Sequence, residues 1–272
     1  MNPTTQIPAV TPVAGPRDIL LSVRGLTKSY GGLRAVNGAS LDLYPGEVVA
    51  LVGDNGAGKS TFVRQITGVE RPTGGQIFLD GAEVNFADPL QAREAGIETV
   101  FQTLALADDL DVPSNLFLGR EVFRFPLGPF SWLDRKQMRR RTLEALKQTA
   151  VKIPNIDNSI RNMSGGQRQC VSIARAAAFA SKLVIMDEPT AALGVQETAQ
   201  VENIIRGLKE RGVPLILVSH NLRQVFDLVD RIWVFRRGRI AGVVDRDKTT
   251  GNEVVSMITG VSETSGEASA FA

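Results

Sequence analysis

The sequence predicts an α/β fold with a mostly parallel sheet at its core, an antiparallel β subdomain and an α-helical subdomain. Three short apolar runs carry this prediction, at residues 47–52, 183–186 and 215–218. Strands that are buried on both faces have continuous apolar sequences of this length, whereas half-exposed strands alternate. Helical patterns separate the runs, and strands that alternate with helices are typical of parallel sheets.

Composition excludes several classes of protein. The chain has 272 residues, of which 43% are hydrophobic, so it can bury a sizeable core. Its net charge of +2 gives no support to a protein that coats nucleic acid. The single cysteine, Cys170, excludes an intrachain disulfide and a cysteine-based metal site, and is typical of a reducing compartment.

No apolar run approaches the roughly 20 residues of a membrane-spanning helix. We therefore expect contact with a membrane only through a partner. Residues 1–18 and 261–272 are rich in Pro, Thr, Ser and Ala, and we expect them to be disordered tails around one ordered domain at residues 19–260.

The first half of this domain begins with extended segments. Residues 19–23 and 40–43 alternate in character, and they precede the buried strand at 47–52. A helix is predicted at 59–68, and strands follow at 76–79 and 97–101. Residues of about 102–170 have a mostly helical pattern and form the predicted helical subdomain, with the longest helix at 135–151.

The second half returns to strands and helices in alternation. Between the strands at 183–186 and 215–218, apolar residues recur at helical spacing, and Gly212 ends that helix. The helical set is Val201, Ile204, Ile205 and Leu208. A terminal hairpin is predicted at 231–244, with its turn at Arg237 and Gly238.

The strand at 47–52 leads into a phosphate-binding loop with the pattern G-x-x-x-x-G-K-[ST]. Glycines let backbone N–H groups surround a phosphate, and the N-terminus of the following helix adds positive charge. The lysine reaches the β- and γ-phosphates, and the serine hydroxyl ligates Mg²⁺. The predicted nucleotide-binding residues here are Gly53, Asp54, Asn55, Gly56, Ala57, Gly58, Lys59, Ser60 and Thr61.

Asp187 and Glu188 follow the apolar run at 183–186. Two carboxylates at the end of a buried strand are costly unless a ligand or a cation pairs with them. In a doubly wound sheet this end faces the crevice where ligands bind. We therefore predict that Asp187 holds Mg²⁺ and that Glu188 orients or deprotonates the water that attacks the γ-phosphate.

A second anion site is predicted at residues 164–167. Ser164 and Gln167 have the spacing of a capping box, and Gly165 and Gly166 lie between them at the start of a helix. Such a helix N-terminus binds anions in the same way as the phosphate loop. Taken alone, the pattern is an ordinary helix start.

Taken together, GDNGAGKST, Gln102, MSGGQ, IMDEPT and His220 resemble the nucleotide-binding subunit of an ATP-binding cassette (ABC) transporter, a family of P-loop NTPases. The motifs occur in the order of that family across residues 19–260. The resemblance implies ATP and Mg²⁺ as cofactors. It also implies a second copy of the chain, whose signature turn at 164–167 closes over the nucleotide.

The resemblance assigns roles to three further residues. Gln102 would touch Mg²⁺ or the lytic water, and His220 would contact the γ-phosphate and Glu188. A lone histidine at a strand end is otherwise more often structural. Tyr30 would stack on adenine through its ring face, whereas on the residues alone it is a half-buried aromatic of a β edge.

Residues 115–121 and the Ala191–Gly194 segment are similar to those of simple-sugar importers. Gly194 stands where many members of the family carry Asp, which puts the usual role of that carboxylate in doubt. The resemblance implies a peripheral protein at the cytoplasmic face of the inner membrane. Its partners would be integral-membrane permease subunits and, indirectly, an extracytoplasmic sugar-binding protein, with no nucleic acid.

Two alternatives stay open at this level. Some ABC ATPases act on nucleic acid or ribosomes, although their long coiled coils or paired cassettes are not visible in this sequence. The basic run of Arg135, Lys136 and residues 139–141 is either a solvated helix face or a contact for anionic lipid headgroups.

Overall fold

The fold consists of two β-sheets with helices packed around them. A computed structural model describes residues 19–125 and 132–260 of the chain. The predicted tails, at 1–18 and 261–272, lie outside the described residues. Within the described residues, no helix is both long enough and apolar enough to cross a bilayer.

The core sheet has six strands in the order β12-β11-β3-β10-β9-β6, and only β12 runs antiparallel to its neighbour. Every residue of β3, β9 and β10 is buried, as the continuous apolar runs predict. The strands are β3 (Val48–Val52), β6 (Ile97–Val100), β9 (Leu183–Asp187), β10 (Leu215–Val218), β11 (Arg231–Arg236) and β12 (Arg239–Asp245).

A four-stranded antiparallel sheet has the order β2-β1-β4-β5. Its strands are β1 (Leu21–Tyr30), β2 (Leu33–Leu43), β4 (Gly74–Leu79) and β5 (Ala82–Val84). The first two are longer than predicted. The pairing of β1 with β2 shifts register between Val23 and Leu26, around a left-handed Gly25, and this irregularity interrupts the alternating pattern in the sequence.

Eight described α-helices surround the sheets. They are α1 (Lys59–Ile66), α2 (Pro89–Glu94), α3 (Val112–Leu116), α4 (Arg135–Gln148), α5 (Gly165–Phe179), α6 (Val195–Glu210), α7 (Leu222–Leu228) and α8 (Gly251–Thr259). The four apolar residues predicted for the buried face of α6 are all buried. We did not predict α2, α3, α7 or α8, because five to nine residues are too few to establish a helical period.

Between residues 102 and 170 the chain contains more than helices. A two-stranded antiparallel hairpin, β7 (Phe123–Phe125) with β8 (Trp132–Leu133), lies between α3 and α4. The sequence predicts a mostly helical and loop-like segment here, and this hairpin is an element that it did not predict. Its strands of three and two residues are too short to show alternation in the sequence.

The two faces of the parallel sheet pack against different elements. In β3, Val48, Ala50 and Val52 join a buried cluster that includes the apolar residues of α5 and α6. Val49 and Leu51 point the other way, into a cluster with α1 and the antiparallel sheet. This alternation is the period of two that a strand imposes on its side chains.

The register of the parallel strands brings three chain segments together at the carboxyl ends of the strands. Val218 of β10 pairs with Leu51 of β3 and with Asp187 of β9. The segments that leave this edge are the predicted phosphate loop after Val52, the acidic pair, and the turn that carries His220. The fold therefore places the main predicted site residues at the carboxyl ends of adjacent strands.

Candidate nucleotide site

The predicted phosphate loop connects β3 to α1 and depends on glycine at three positions. Gly53, Gly56 and Gly58 have φ values of 149°, 78° and 108°, in the region that favours glycine. A Cβ atom on Gly53 would lie 2.2 Å from the carbonyl oxygen of Phe235, and one on Gly58 would lie 2.3 Å from that of Ala35. The loop thus passes between two neighbouring backbones, which fixes its curvature.

Lys59 begins α1 and is buried inside this loop, with 6% of its surface exposed. Its Nζ atom donates hydrogen bonds to the carbonyl oxygens of Gly53, at 2.7 Å, and of Asp54, at 2.9 Å. Burial lowers the pKa of the Lys59 ammonium, while the nearby carboxylates of Glu188 and Asp187 oppose that shift. A desolvated cation that is held by two backbone carbonyl oxygens of a glycine-rich loop, at the start of a helix, is suited to bind a phosphate.

Asp187 ends β9 and is also buried, with 7% of its surface exposed. Burial raises the pKa of its carboxyl group, and a hydrogen bond with the Ser60 side chain opposes the shift. Its Oδ1 atom is buried without a hydrogen-bond partner. A hydroxyl beside a carboxylate with an unsatisfied oxygen is a donor set that suits a hard cation such as Mg²⁺.

Glu188 and His220 face each other across the ends of β9 and β10. The Nδ1 atom of His220 lies 3.2 Å from Oε1 of Glu188. The Glu188 side chain is 17% exposed and that of His220 is 63% exposed, so the carboxylate is the inner of the two groups. Glu188 has a φ of 49°, and its N–H donates to the carbonyl oxygen of Val218, at 2.9 Å. A left-handed non-glycine residue at this point indicates local strain.

A buried polar network behind these two residues was not predicted from the sequence. The Oε1 atom of Gln224 accepts hydrogen bonds from Thr190 Oγ1, at 3.2 Å, and from Ser219 Oγ, at 3.1 Å. Ser219 Oγ in turn accepts a bond from the N–H of Asn221, at 3.1 Å. The network ties the segment after Glu188 to the turn that carries His220. Its only sequence signal is a helix-capping Asn221 just after a strand.

The Ser164 turn has the predicted capping box. The Gln167 N–H donates to Ser164 Oγ, at 3.2 Å, and the Ser164 N–H donates to Gln167 Oε1, at 3.0 Å. Ser164 and Gly165, which begins the 15-residue α5, are exposed, whereas Gly166 is buried. In the described part of the chain, no hydrogen bond or ion pair joins this turn to the phosphate loop.

Tyr30 lies at the end of β1 with 46% of its surface exposed. Its hydroxyl donates a hydrogen bond to the Glu70 carboxylate, and the Lys28 ammonium lies 5.3 Å from the ring centroid. Desolvation and the neighbouring Glu70 raise the pKa of the Tyr30 hydroxyl, and Thr61 of α1 opposes the shift through a side-chain hydrogen bond. The ring therefore lies beside the helix that follows the phosphate loop.

Gln102 is exposed two residues beyond β6, at the same edge of the sheet as Asp187. No hydrogen bond joins its side chain to the other predicted site residues in the described parts of the chain. The structure thus brings together Lys59, Ser60, Asp187, Glu188 and His220, and leaves Gln102 and the Ser164 turn apart from them.

A comparison of the sequence with models of protein families agrees with this geometry. A model described as "ABC transporter" matches residues 36–191, which include the phosphate loop, the Ser164 turn and the acidic pair. This chain belongs to the ABC transporter family. The resemblance to ABC transporter subunits that its motifs indicate is therefore confirmed.

Curated members of the family match nearly the whole chain. The fructose import ATP-binding protein of Rhizobium meliloti is 46% identical, over 92% of this chain and 97% of its own length. The xylose/arabinose import ATP-binding protein of Sulfolobus acidocaldarius is 41% identical, over 88% of this chain and 94% of its own. A ribose import ATP-binding protein of Rhizobium johnstonii is 38% identical over 96% of this chain, which spans 50% of that protein.

Solved ABC cassettes have the same fold. A nucleotide-free ATP-binding cassette matches with a TM-score of 0.75 at 25% identity, covering 89% of this chain and 95% of that one. A dimeric cassette in a post-hydrolysis state, bound to ADP and Pi, matches with a TM-score of 0.71 at 26% identity, covering 84% of this chain and 99% of that one. The predicted fold class, a P-loop NTPase of ABC type, is confirmed.

Proposed function

We propose that the chain is the ATP-hydrolysing subunit of an importer and energises a membrane permease for the uptake of a monosaccharide. The observation that carries the proposal is the convergence of one buried cation, Lys59, with two acidic residues, Asp187 and Glu188, at the end of the parallel sheet. Phosphoryl transfer needs a cation for the phosphates, a carboxylate for the metal and a carboxylate for the water.

The phosphate loop binds the triphosphate in this proposal. Lys59 exchanges its two backbone carbonyl partners for β- and γ-phosphate oxygens, while the N–H groups of the loop residues, 53–58, surround the phosphates. Thr61 lies in the same first turn of α1, and its N–H adds to the anion-binding end of that helix. Tyr30, which is half-exposed beside α1, stacks on the adenine.

The metal site in this proposal is formed by Ser60 and Asp187, with Gln102 as a further oxygen donor. The unpartnered and buried Oδ1 of Asp187 fits a divalent cation. When bound there, Mg²⁺ neutralises charge on the β- and γ-phosphate oxygens.

Glu188 acts as the general base. Its carboxylate accepts a proton from a water as the water oxygen forms a bond to the γ-phosphorus, and the bond from that phosphorus to the bridging oxygen of ADP breaks. The products are ADP, inorganic phosphate and one proton. His220, 3.2 Å from Glu188, holds the carboxylate in position and donates a hydrogen bond toward the γ-phosphate.

The Ser164 turn serves the nucleotide of a second copy. Residues 164–167 begin a long helix, and Ser164 and Gly165 are exposed there, yet no hydrogen bond or ion pair in the described part of the chain joins these residues to their own phosphate loop. Two copies in a symmetric dimer would each supply the turn that the other needs. The similarity to a cassette solved as a dimer with ADP and Pi supports this arrangement.

The sugar substrate follows from the names of the relatives, which are fructose, xylose/arabinose and ribose import ATP-binding proteins. In this proposal the chain binds permease subunits at the cytoplasmic face of the inner membrane, and an extracytoplasmic sugar-binding protein delivers the substrate. The same names favour transport over the alternative, an ATPase that acts on nucleic acid or ribosomes. The proposed ATPase domain is residues 19–260, with a helical subdomain at about 102–170.

The uptake of labelled fructose, xylose and ribose by cells of the source organism tests the proposal. Cells that lack the chain are complemented with the wild type, with Glu188→Gln, or with Glu202→Gln as a control, since Glu202 is an acidic residue of α6 paired with Arg206. We expect the wild type and the control to restore uptake of at least one sugar and Glu188→Gln to restore none. Equal uptake of all three sugars with and without the chain would contradict the proposal.

A further inference from the structure

The Tyr30 ring, at the end of β1, is held by a carboxylate from another part of the chain. Its hydroxyl donates a hydrogen bond to Oε2 of Glu70, in the loop that joins α1 to β4. Tyr30 is 46% exposed, whereas the Glu70 side chain is 19% exposed. An exposed ring at the end of a strand keeps its rotational freedom unless a second contact fixes it, and the hydroxyl bond is such a contact.

Both oxygens of the Glu70 carboxylate have partners. Oε2, which accepts the bond from Tyr30, also lies 3.6 Å from Nζ of Lys28. Oε1 lies 3.4 Å from a guanidinium nitrogen of Arg64. Hydrogen bonds to an ionised carboxylate are stronger than those between neutral groups, so Glu70 is a firm anchor for the phenol.

Lys28 occupies one face of the Tyr30 ring. Its ammonium lies 5.3 Å from the ring centroid, within the range of a cation–π contact, and donates to the carbonyl oxygen of Arg71, at 2.7 Å. The ion pair with Glu70 holds the ammonium at the same place. A base that stacks on this ring therefore does so on the opposite face, and one stacking geometry is available rather than two.

Backbone hydrogen bonds tie the Glu70 loop to the helix that begins at the phosphate loop. The Glu70 N–H donates to the carbonyl oxygen of Arg64, at 3.0 Å, and Arg64 lies in the last turn of α1. The N–H of Thr73, in the same loop, donates to the carbonyl oxygen of Thr27 of β1, at 2.8 Å. The bond from Tyr30 to Glu70 thus fixes the ring relative to α1, whose first turn faces the phosphates in the proposed site.

We propose that Glu70 is a positioning residue of the nucleotide site, which holds Tyr30 in the orientation that stacks on adenine. The inference rests on the proposed function, in which Tyr30 contacts the base. Glu70 acts through Tyr30 and does not itself touch the nucleotide. It increases the affinity for ATP because the ring is already ordered before ATP binds, so that less conformational entropy is lost on binding.

Titration calorimetry of the full chain with MgATP and with inorganic tripolyphosphate tests this role. We expect Glu70→Ala to bind MgATP on the order of threefold to tenfold more weakly, which is the effect of immobilising one side chain on binding. Tripolyphosphate has no base, so its affinity should not fall. The KM for ATP should rise by the same factor while kcat is unchanged, since stacking on the base is equal in the ground state and the transition state.

Conservative variants separate positioning from charge. Glu70→Gln keeps an oxygen that accepts from the Tyr30 hydroxyl and should retain the affinity of the wild type. Tyr30→Phe removes the hydroxyl and should lose as much affinity as Glu70→Ala. The double variant should lose no more than either, because the two residues act through one contact. Glu202→Ala is the matched control and should bind as the wild type does, since Glu202 is also 19% exposed and pairs with Arg206, at 3.6 Å.

The outcomes distinguish this inference from the proposed function. If Tyr30→Ala bound MgATP as the wild type does, the proposed stacking on adenine would fail, and this inference with it. If Tyr30→Ala weakened binding while Glu70→Ala did not, the inference alone would be overturned. Tighter binding of both ligands by Glu70→Ala would also overturn it, because the carboxylate would then act only by repelling phosphates. So would equal losses for both ligands, since the ligand without a base should not respond.

Discussion

His220 Nδ1 lies 3.2 Å from Glu188 Oε1 at the ends of two adjacent parallel strands. The carboxylate is the more buried of the two groups and lies near enough to Lys59 of the predicted phosphate loop to oppose the lowering of the Lys59 pKa, whereas the histidine is on the solvent side. This order suits a base that His220 keeps in position.

Replacement of Glu188 by Gln separates binding from hydrolysis. The amide keeps the shape of the side chain but does not accept a proton, so we expect ATP affinity within about twofold of the wild type and a kcat lower by on the order of a hundredfold or more. Titration of a fluorescent ATP analogue and a phosphate-release assay measure the two quantities. If the variant failed to bind ATP, Glu188 would instead be a metal-holding or structural residue.

Replacement of Lys59 by Ala removes the buried cation of the phosphate loop. The rate of hydrolysis should fall on the order of a hundredfold or more, because the developing phosphate charge loses its preorganised partner. Lys182→Ala is the matched control, since Lys182 is a partly exposed lysine paired with Asp80 on the surface. Near-normal ATPase activity in Lys59→Ala would show that the phosphates bind elsewhere.

Two glycines of the phosphate loop should respond differently to Ala. A Cβ atom on Gly58 would lie 2.3 Å from a carbonyl oxygen, whereas one on Gly56 has nothing within 4 Å. Gly56→Ala therefore meets only backbone strain of roughly 1–3 kcal/mol, and it should bind ATP more tightly than Gly58→Ala does. Calorimetric titration of both variants with MgATP checks the order, and equal affinities would contradict the described loop.

The Asp187 carboxyl should make stability depend on pH. Burial raises its pKa in the folded chain, so the native state binds more protons than the unfolded state between its ordinary pKa and the raised one. The contribution of this group to the free energy of unfolding therefore falls as the pH rises through that window.

It follows that Asp187→Asn should be more stable than the wild type at neutral pH without nucleotide, and that the difference should shrink toward acidic pH. Urea unfolding at about pH 7 and at mildly acidic pH measures the free energies. A variant that is less stable than the wild type at neutral pH would show that the ionised Asp187 has a stabilising partner.

The sequence was most informative where strands are buried on both faces. The runs at 183–186 and 215–218 predict β9 and β10 almost to the residue, because no polar face interrupts them. The loop motif also places Lys59 at the start of α1. The short helices and the β7–β8 hairpin were missed, because their stability comes from packing and caps rather than from a repeating pattern.

Contacts between segments that are distant in the chain could not be predicted from the sequence. Nothing in the order of residues shows that Gln224 bonds Thr190 and Ser219 behind the site, or that Glu197 fills the space left by Gly166. These contacts depend on how β9, β10 and α5 pack in three dimensions. The sequence predicts only the motif at the end of each element.

The molar mass of the Glu188→Gln chain in solution tests the shared site most directly. Light scattering with and without saturating MgATP should give a dimer with nucleotide and a monomer without it, because in the proposed dimer ATP would lie between the phosphate loop of one copy and the Ser164 turn of the other. The same chain with Lys59→Ala added should stay monomeric in both conditions. A Glu188→Gln chain that binds MgATP and remains a monomer would contradict the account.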